Sequence, residues 1–443
     1  MSKESFQEYK RRVIDIKSES FCGAKYYDAT FWLGSGRTAS CHHTPPHPII
    51  LDDIEKNPKA LHNTDQKKLE RDMMRKGERP SGCEYCWRIE DADTNNISSR
   101  IFENFRCSEE DLETAFRADS NLDFNLRSLE ISFDRTCQFA CSYCGPELST
   151  TWVKDIKKYG PYVDVNDERN TYANTSDFAQ LFQAHQENPY VDAFFKWWES
   201  DLYQTVKEIK ITGGEPLVSG HTWKLLEWVR KTTKKDQIKL AINTNLGVEK
   251  DVLIKLLDYS DSIDLDIWTS NESTNSQAEY IRDGLNWTQW LDNVEYILST
   301  NKLKENRLKI NSTVGATGAI GLTKLLELVQ SLKQKYGLEN IMFTLSSQEW
   351  PKFQSVLVLP KEIKQNIADN LDQFYIKNKE MLNEVESNHV NRLITFLRKN
   401  LDHADADNLK LSFKNFYTQY DLRRNKDFTG TFPELANWYN NIK

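Results

Sequence analysis

Three cysteines lie within a single eight-residue run of this 443-residue chain, Cys-Gln-Phe-Ala-Cys-Ser-Tyr-Cys. They are Cys137, Cys141 and Cys144. A hydrophobic core spreads its small apolar residues over separate elements, so three thiols this close together read as one group that can reach one metal centre. An iron–sulfur cube takes four ligands, and thiolates suit it. This loop offers three, which leaves one iron open to a ligand that is not protein. The alternatives are a zinc knuckle and a disulfide pair. A structural zinc site wants four protein ligands, and no nearby thiol or histidine follows Cys144.

A second set of thiols precedes the first. Cys83 and Cys86 form a C-x2-C pair, and Cys22 and Cys41 stand upstream of it, around chain reversals. Four thiolates would close a site, so it would store or relay an electron, or hold the fold. Zinc and an iron–sulfur cluster suit such a site equally well. His42, His43, His47 and His62 lie near it in sequence, and four thiols make them unnecessary as ligands. Cys107 reads as a small buried residue in a helix.

A third stretch, Gly213-Gly214-Glu215-Pro216, has its own logic. Two glycines let the backbone approach a ligand closely, and Glu215 with nearby carbonyls can accept hydrogen bonds from an ammonium group.

These residues need elements to hold them. Leu129, Ile131 and Phe133 alternate with polar residues and predict a strand that runs into the cysteine loop. Ile209 to Thr212 predicts a second strand, ending at the Gly-Gly-Glu-Pro segment. Further strands are expected at 238–243, 263–268, 308–314 and 340–345. Amphipathic helices separate them, for example Trp223 to Arg230 and Leu322 to Tyr336. Strand–helix alternation implies a parallel sheet with right-handed crossovers. Six such units make an α/β fold, a partial (β/α)6 TIM-like barrel, with chemistry at the C-terminal strand ends. Upstream, the pattern predicts a short polar helix in 1–20, a hairpin at 29–41 turning at Gly34-Ser35-Gly36, and a helix at 65–76 ended by Gly77. The expected organisation is an N-terminal cysteine-bearing domain at 1–125, a core at 126–346 with an insertion at about 155–200, and a mainly helical segment at 347–443.

The totals bound the class. The net charge of −8 argues against a general nucleic-acid binder. No apolar run is long enough to span a bilayer, and the charged N-terminus has no signal-peptide core, so a cytoplasmic protein is expected. In that compartment eight cysteines are metal ligands or free thiols rather than disulfides. The 21 Phe, 18 Tyr and 12 Trp point to large buried surfaces.

The spacing C-x3-C-x2-C, with Tyr143 before the third cysteine and Gly-Gly-Glu-Pro after the next strand, resembles the radical S-adenosylmethionine (SAM) superfamily. The resemblance implies a [4Fe–4S] cluster on Cys137, Cys141 and Cys144 whose open iron is chelated by the amino and carboxylate groups of SAM. Reductive cleavage of SAM to a 5′-deoxyadenosyl radical, and hydrogen abstraction from a substrate, would follow. It places Tyr143 near the adenine, and Gly213, Gly214, Glu215 and Pro216 around the methionine amine. Asn243-Thr244-Asn245 is similar to the family's Thr-Asn-Gly turn, so Asn243 and Asn245 would meet ribose or the methionine carboxylate. Ser312, with Asn311 and Thr313 on the fifth strand, is a further candidate for the carboxylate. Asp266, Trp268 and Ser270 depart from the Ser-Ile-Asp-Gly that relatives often carry. Glu279-Tyr280-Ile281-Arg282, with Gly284 and Trp287, also looks like family sequence.

The N-terminal region resembles a SPASM/twitch auxiliary-cluster domain. The likeness rests on Phe-Cys-Gly-Ala, on Gly36-Arg37 leading into a cysteine, on Met-Arg-Lys-Gly-Glu-Arg-Pro-Ser-Gly-Cys-Glu-Tyr-Cys, and on Glu90 and Ser98-Ser99-Arg100. Here it precedes the core instead of following it. The resemblance implies a second [4Fe–4S] cluster on Cys22, Cys41, Cys83 and Cys86, with zinc as the alternative. Tyr420 to Arg424 and Phe432 to Leu435 resemble C-terminal ends of the same group, with Asp421 and Arg424 read as a solvated or capping pair. The implied function is hydrogen abstraction from a peptide or protein side chain, fed by an external donor such as a flavodoxin or ferredoxin. A radical SAM enzyme acting on a small sugar or nucleoside, and a non-enzymatic zinc-stapled binding protein, are the alternatives.

Overall fold

The hairpin expected at 29–41 forms in the computed structural model, which describes residues 4–93, 96–167, 171–172, 181–182, 186–403 and 406–442. Strands β1 (Asp28–Trp32) and β2 (Arg37–Ala39) pair antiparallel, Thr30 opposite Ala39. A short β3 (His47–Pro48) adds to β2. Strand β4 (Ser128–Ser132) buries Leu129 and Ile131, the alternation that predicted it. β4 pairs in parallel with β6 (Glu208–Thr212) on one side and with β1 on the other, Asp28 opposite Ser128 through Trp32 opposite Ser132. The N-terminal hairpin, expected in a domain of its own, therefore shares a sheet with the strand that feeds the cysteine loop.

The chain divides into two compact units. The first comprises Met1–Asp134, Gln180–Gly213 and Glu227–Leu240. Its helix Asp65–Arg75 is capped by Thr64, whose hydroxyl accepts from the Lys67 amide, and Gly77 follows it at φ +83°. That is the left-handed stop the sequence calls for. Tyr9, Val13, Ile14, Phe21, Tyr26, Ile101 and Leu112 form one of its apolar clusters.

The second unit comprises Arg135–Ala179, Gly214–Leu226 and Ala241–Lys443. It holds most of β7 (Lys239–Thr244), then β8 (Asp264–Ser270), β10 (Leu308–Val314) and β11 (Ile341–Ser347), adjacent in that order. β8 and β11 both run parallel to β10. Helices Lys250–Asp258, Trp287–Thr300 and Ala316–Tyr336 connect these strands, so the expected alternation of strand and helix is present. Two short strands stand apart from this sheet: β5 (Ala140–Cys141), within the cysteine loop, and β9 (Arg282–Asp283), antiparallel to it. The C-terminal region is helical, as expected, over Lys361–Asn378, Glu384–Lys399 and Ala406–Arg424. Of the expected insertion, helix Pro189–Trp197 is described, while 168–170, 173–180 and 183–185 fall outside the described residues. No helix among the described residues is long and apolar enough to cross a membrane.

Candidate metal centres

The loop after β4 is fastened at each cysteine. Cys137 offers its carbonyl to the hydroxyls of Thr150 (3.1 Å) and Thr151 (2.8 Å) at the start of helix Thr150–Tyr159. Cys141 lies in β5 opposite Arg282, and the Trp152 indole donates to its carbonyl at 2.9 Å. The Cys144 amide donates back to the Cys141 carbonyl at 2.9 Å, closing a turn. The sulfurs have donors of their own. Phe139 N–H lies 3.4 Å and Asn245 Nδ2 3.9 Å from Cys137 Sγ, and Arg282 Nη1 lies 3.7 Å from Cys141 Sγ. Burial pushes the Cys137 thiol up to about 12 and Cys141 to about 11, and holds Cys144 well above the usual range. Each of Cys137 and Cys144 also feels Cys141, so the three thiols are electrostatic neighbours. N–H groups aimed at sulfur stabilise a thiolate once a metal has displaced its proton.

The Gly-Gly-Glu-Pro segment packs against this loop, and its glycines serve that packing. Gly213 has φ +112°, and a Cβ there would meet Ser132 Oγ at 2.5 Å. At Gly214 a Cβ would stand 2.3 Å from the Thr136 carbonyl. The glycines admit the protein's own backbone, and the Glu215 amide completes the contact by donating to Thr136 O at 2.7 Å. Pro216, buried, opens the short turn that follows. Glu215 is 1% exposed and saturated on one side. Its Oε1 accepts from Leu217 N (3.0 Å) and Thr244 Oγ1 (2.6 Å), and its Oε2 accepts from Asn245 N (2.6 Å). It therefore shapes the turn after β7, and one lone pair of Oε2 is left for a ligand. In that turn Leu246 takes φ +51°. Asn245 touches Cys137, Gln138 and Gly247, while Asn243 lies on the partly exposed face of β7.

Spacing alone gave no sign of the pair at the centre of this unit. Glu272 and Arg282 are 1% and 5% exposed. The guanidinium grips the carboxylate through Nε (2.8 Å) and Nη2 (2.8 Å). Tyr143 joins them. Its hydroxyl donates to Glu272 Oε1 at 2.8 Å and accepts from Arg282 Nη2. Ser312 differs in setting from the other two polar candidates of β10. It is fully buried and donates to the Asn271 carbonyl at 2.6 Å, so Asn311 and Thr313 occupy the other face of β10.

Helix Ala406–Arg424 braces the loop from behind. Tyr420 donates to the carbonyls of Ala140 (3.1 Å) and Tyr280 (3.2 Å), and Tyr417 stands 3.4 Å from Ser142 Oγ. Asp421 and Arg424, expected as a solvated or capping pair, take separate partners, and Asp421 alone caps, at the first amide of helix Phe428–Thr431. Arg424 is 6% exposed, bonded to Asp155 (3.0 Å) and Asp283 (3.1 Å), and lies over the rings of Trp152 and Tyr420. Asp421 instead accepts from Tyr280 Oη and the Phe428 amide.

The first unit brings its four cysteines to one pocket. Cys22, Cys41, Cys83 and Cys86 all line one pocket, together with Met74 and Trp87. Cys22, Cys83 and Cys86 are each 8% exposed and Cys41 is more open. Two buried cations face them. Lys25 is bonded to Glu70, and its charge opposes the burial that pushes the Cys83 thiol up. Arg100 is bonded to Glu90 (Nε–Oε1 3.0 Å), and its charge opposes the burial that pushes the Cys22 thiol up. His43 lines the same pocket, stacked on Tyr85 at 3.7 Å. His47 bonds Thr64, His62 is buried against Tyr26 O and Arg71, and His42 is exposed. Cys107, expected as a buried residue in a helix, lies just past helix Ser99–Arg106 in extended backbone and, partly buried, packs on the apolar cluster. Among the described residues, no three His, Cys, Asp or Glu side chains converge tightly enough to hold a single metal ion.

No protein-family model and no curated protein matches the chain. Solved structures do. A histidine-tagged anSMEcpe with bound AdoMet matches at 13% identity and a TM-score of 0.35, covering 57% of this chain and 61% of that one. Streptococcus suis SuiB bound to precursor peptide SuiA matches at 13% and 0.36, covering 80% and 70%. Native anSMEcpe with bound AdoMet and Cp18Cys peptide matches at 14% and 0.36, covering 71% and 99%. The chain thus spans less than two thirds of the first of these. At such values the likeness is too weak to assign chemistry, and the residues of the site carry it instead.

Proposed function

We propose that this protein is a radical SAM enzyme with a partial-barrel core, acting on a peptide or protein side chain. One observation carries the reading. Three sulfurs, one buried and two partly buried, sit on one fastened loop after β4, and N–H donors are already directed at two of them. The donor set is all thiol, which fits an iron–sulfur cluster better than a harder metal. Cys137, Cys141 and Cys144 would hold a [4Fe–4S] cluster with one open iron. When bound, that cluster supplies the electron that cleaves SAM to a 5′-deoxyadenosyl radical.

The chain's own residues have separable tasks. Glu215 holds the turn that starts at Asn245, just beyond Asn243 on β7, and its remaining Oε2 lone pair would accept from a SAM amine. Gly213, Gly214 and Pro216 keep that carboxylate against the loop. Tyr143, fixed through its hydroxyl, offers its ring and backbone to the adenine. Asn311 and Thr313 replace Ser312 as the polar groups of β10 directed at SAM.

In the first unit, Cys22, Cys41, Cys83 and Cys86 would hold a second [4Fe–4S] cluster that relays an electron or binds substrate. The buried cations Lys25 and Arg100 offset the negative charge of four thiolates, which burial would otherwise penalise. The peptide or protein substrate class rests on the SPASM/twitch resemblance of this region, and a flavodoxin or ferredoxin would supply electrons.

Anaerobic reconstitution tests the reading. The expected result is brown protein with about eight iron atoms per chain and SAM-dependent 5′-deoxyadenosine. Cys141→Ala should lose SAM cleavage and keep about four iron atoms; Cys83→Ala with Cys86→Ala should remove the other centre. Colourless protein holding zinc, or SAM cleavage that survives Cys141→Ala, would overturn it.

A further inference from the structure

Three groups converge on one guanidinium beside the cysteine loop. Arg282 holds Glu272 through Nε and Nη2, donates to the Tyr143 hydroxyl as a third partner, and directs Nη1 at Cys141 Sγ from 3.7 Å. Its register is fixed, because β9 sets Arg282 opposite Cys141. Glu272 is fixed in turn by the Thr313 amide at 3.4 Å. A buried ion pair is seldom the cheapest way to stabilise a fold, since an apolar pair of similar volume often does as well. This one does something an apolar pair cannot. It brings a charged donor to a ligand sulfur and nearly cancels that charge with a carboxylate one bond away.

We propose that Arg282 and Glu272 are positioning residues that set the reduction potential of the centre on Cys137, Cys141 and Cys144; this rests on the proposed function. A cation at a ligand sulfur favours the more negative, reduced form of a cluster, and Glu272 restrains that effect. The two residues therefore pull the potential in opposite directions. A brace for the fold would instead make both substitutions act alike, through lost stability.

The test uses the full chain, reconstituted anaerobically, with redox titration followed by electron paramagnetic resonance. Added SAM perturbs the loop centre's signal and so identifies it, and the second centre serves as an internal standard. Glu272→Gln leaves the guanidinium uncompensated and should favour reduction about tenfold, a rise of about 59 mV for a one-electron couple. Arg282→Gln should lower the potential by a similar amount, and Arg282→Lys should restore part of it. Full iron content with an unchanged loop potential in Glu272→Gln overturns the proposal, as does a shift of the same sign in both variants or an equal shift in the second centre. If Arg282→Gln does not fold, the sign of the Glu272→Gln shift decides alone. A wild-type chain that takes up no iron overturns this proposal and the proposed function together, whereas iron and SAM cleavage without the shifts overturn this proposal only.

Discussion

Replacing Glu215 by glutamine should destabilise the protein even when it holds no iron and no SAM. The Leu217 and Asn245 amides donate to opposite oxygens of this carboxylate, and neither can turn away. A glutamine has one oxygen and one NH2 group. Whichever way the amide is set, one backbone N–H faces another donor at a site 1% exposed. The Thr244 hydroxyl can rotate and adapt; the amides cannot. Losing one charge-assisted bond and leaving a buried donor unmet together cost about 2–4 kcal/mol. Two measurements on iron-free protein read this out. The urea midpoint should fall, and hydrogen exchange at Asn245 or Leu217 should quicken by about 30-fold or more, since each 1.4 kcal/mol is a factor of ten in an opening equilibrium. Thr244→Val, which removes one donor to Glu215 and the acceptor of the Leu246 amide, should cost about 1–2 kcal/mol. If Glu215→Gln leaves both the midpoint and the exchange rates where they were, the carboxylate is not the clamp described above.

Two further outcomes are expected. Arg424→Met should cost about 3 kcal/mol in urea unfolding, because it strips one cation from the buried carboxylate of Asp155. Adding Asp155→Asn should recover part of that loss. Asp28→Asn should flatten the pH dependence of unfolding between about pH 4 and 8. Burial, with Glu103 nearby, pushes the Asp28 carboxyl up to about 8, so the folded chain keeps a proton that the unfolded chain releases near 3.8. That contribution is fully present below the unfolded value and is lost as pH rises through the folded one; unchanged slopes in the variant would refute the assignment.

Periodicity made the strands legible. Leu129 and Ile131, or Ile310 with its neighbours, alternate strictly enough that β4 and β10 fall within a residue of where the pattern puts them. Clustering of one rare residue made the thiol loop legible, and C-x2-C spacing made half of the second pocket so. What could not be read is pairing between distant residues. Glu272 looks like any surface charge in a chain that is 28% charged, and Arg282, though it stands in a stretch singled out by resemblance, has no readable partner until the β5–β9 register brings it to Cys141. Lys25 is hidden for the same reason, and so is the side to which Arg100 turns. Ser312 shows the limit of alternation, which predicts a polar residue on a strand without saying which face it serves. The tail pair was misread because Arg424 reaches back to Asp155 across more than half of the chain, and no local rule spans that distance.

The parallel pairing of β1 with β4 has a consequence during synthesis. A nascent chain releases Asp28 long before Ser128, its partner, has been translated. Through that interval one side of the first hairpin is an unmet edge, open to any passing strand. All four thiols of the first pocket emerge before Ser128 does. Metal supplied on the ribosome would tie residues 22 to 86 into one body while the edge still waits. On the proposed assignment of an iron–sulfur cluster to this pocket, a host starved of iron is expected to accumulate this protein as inclusion bodies, not as soluble but inactive material.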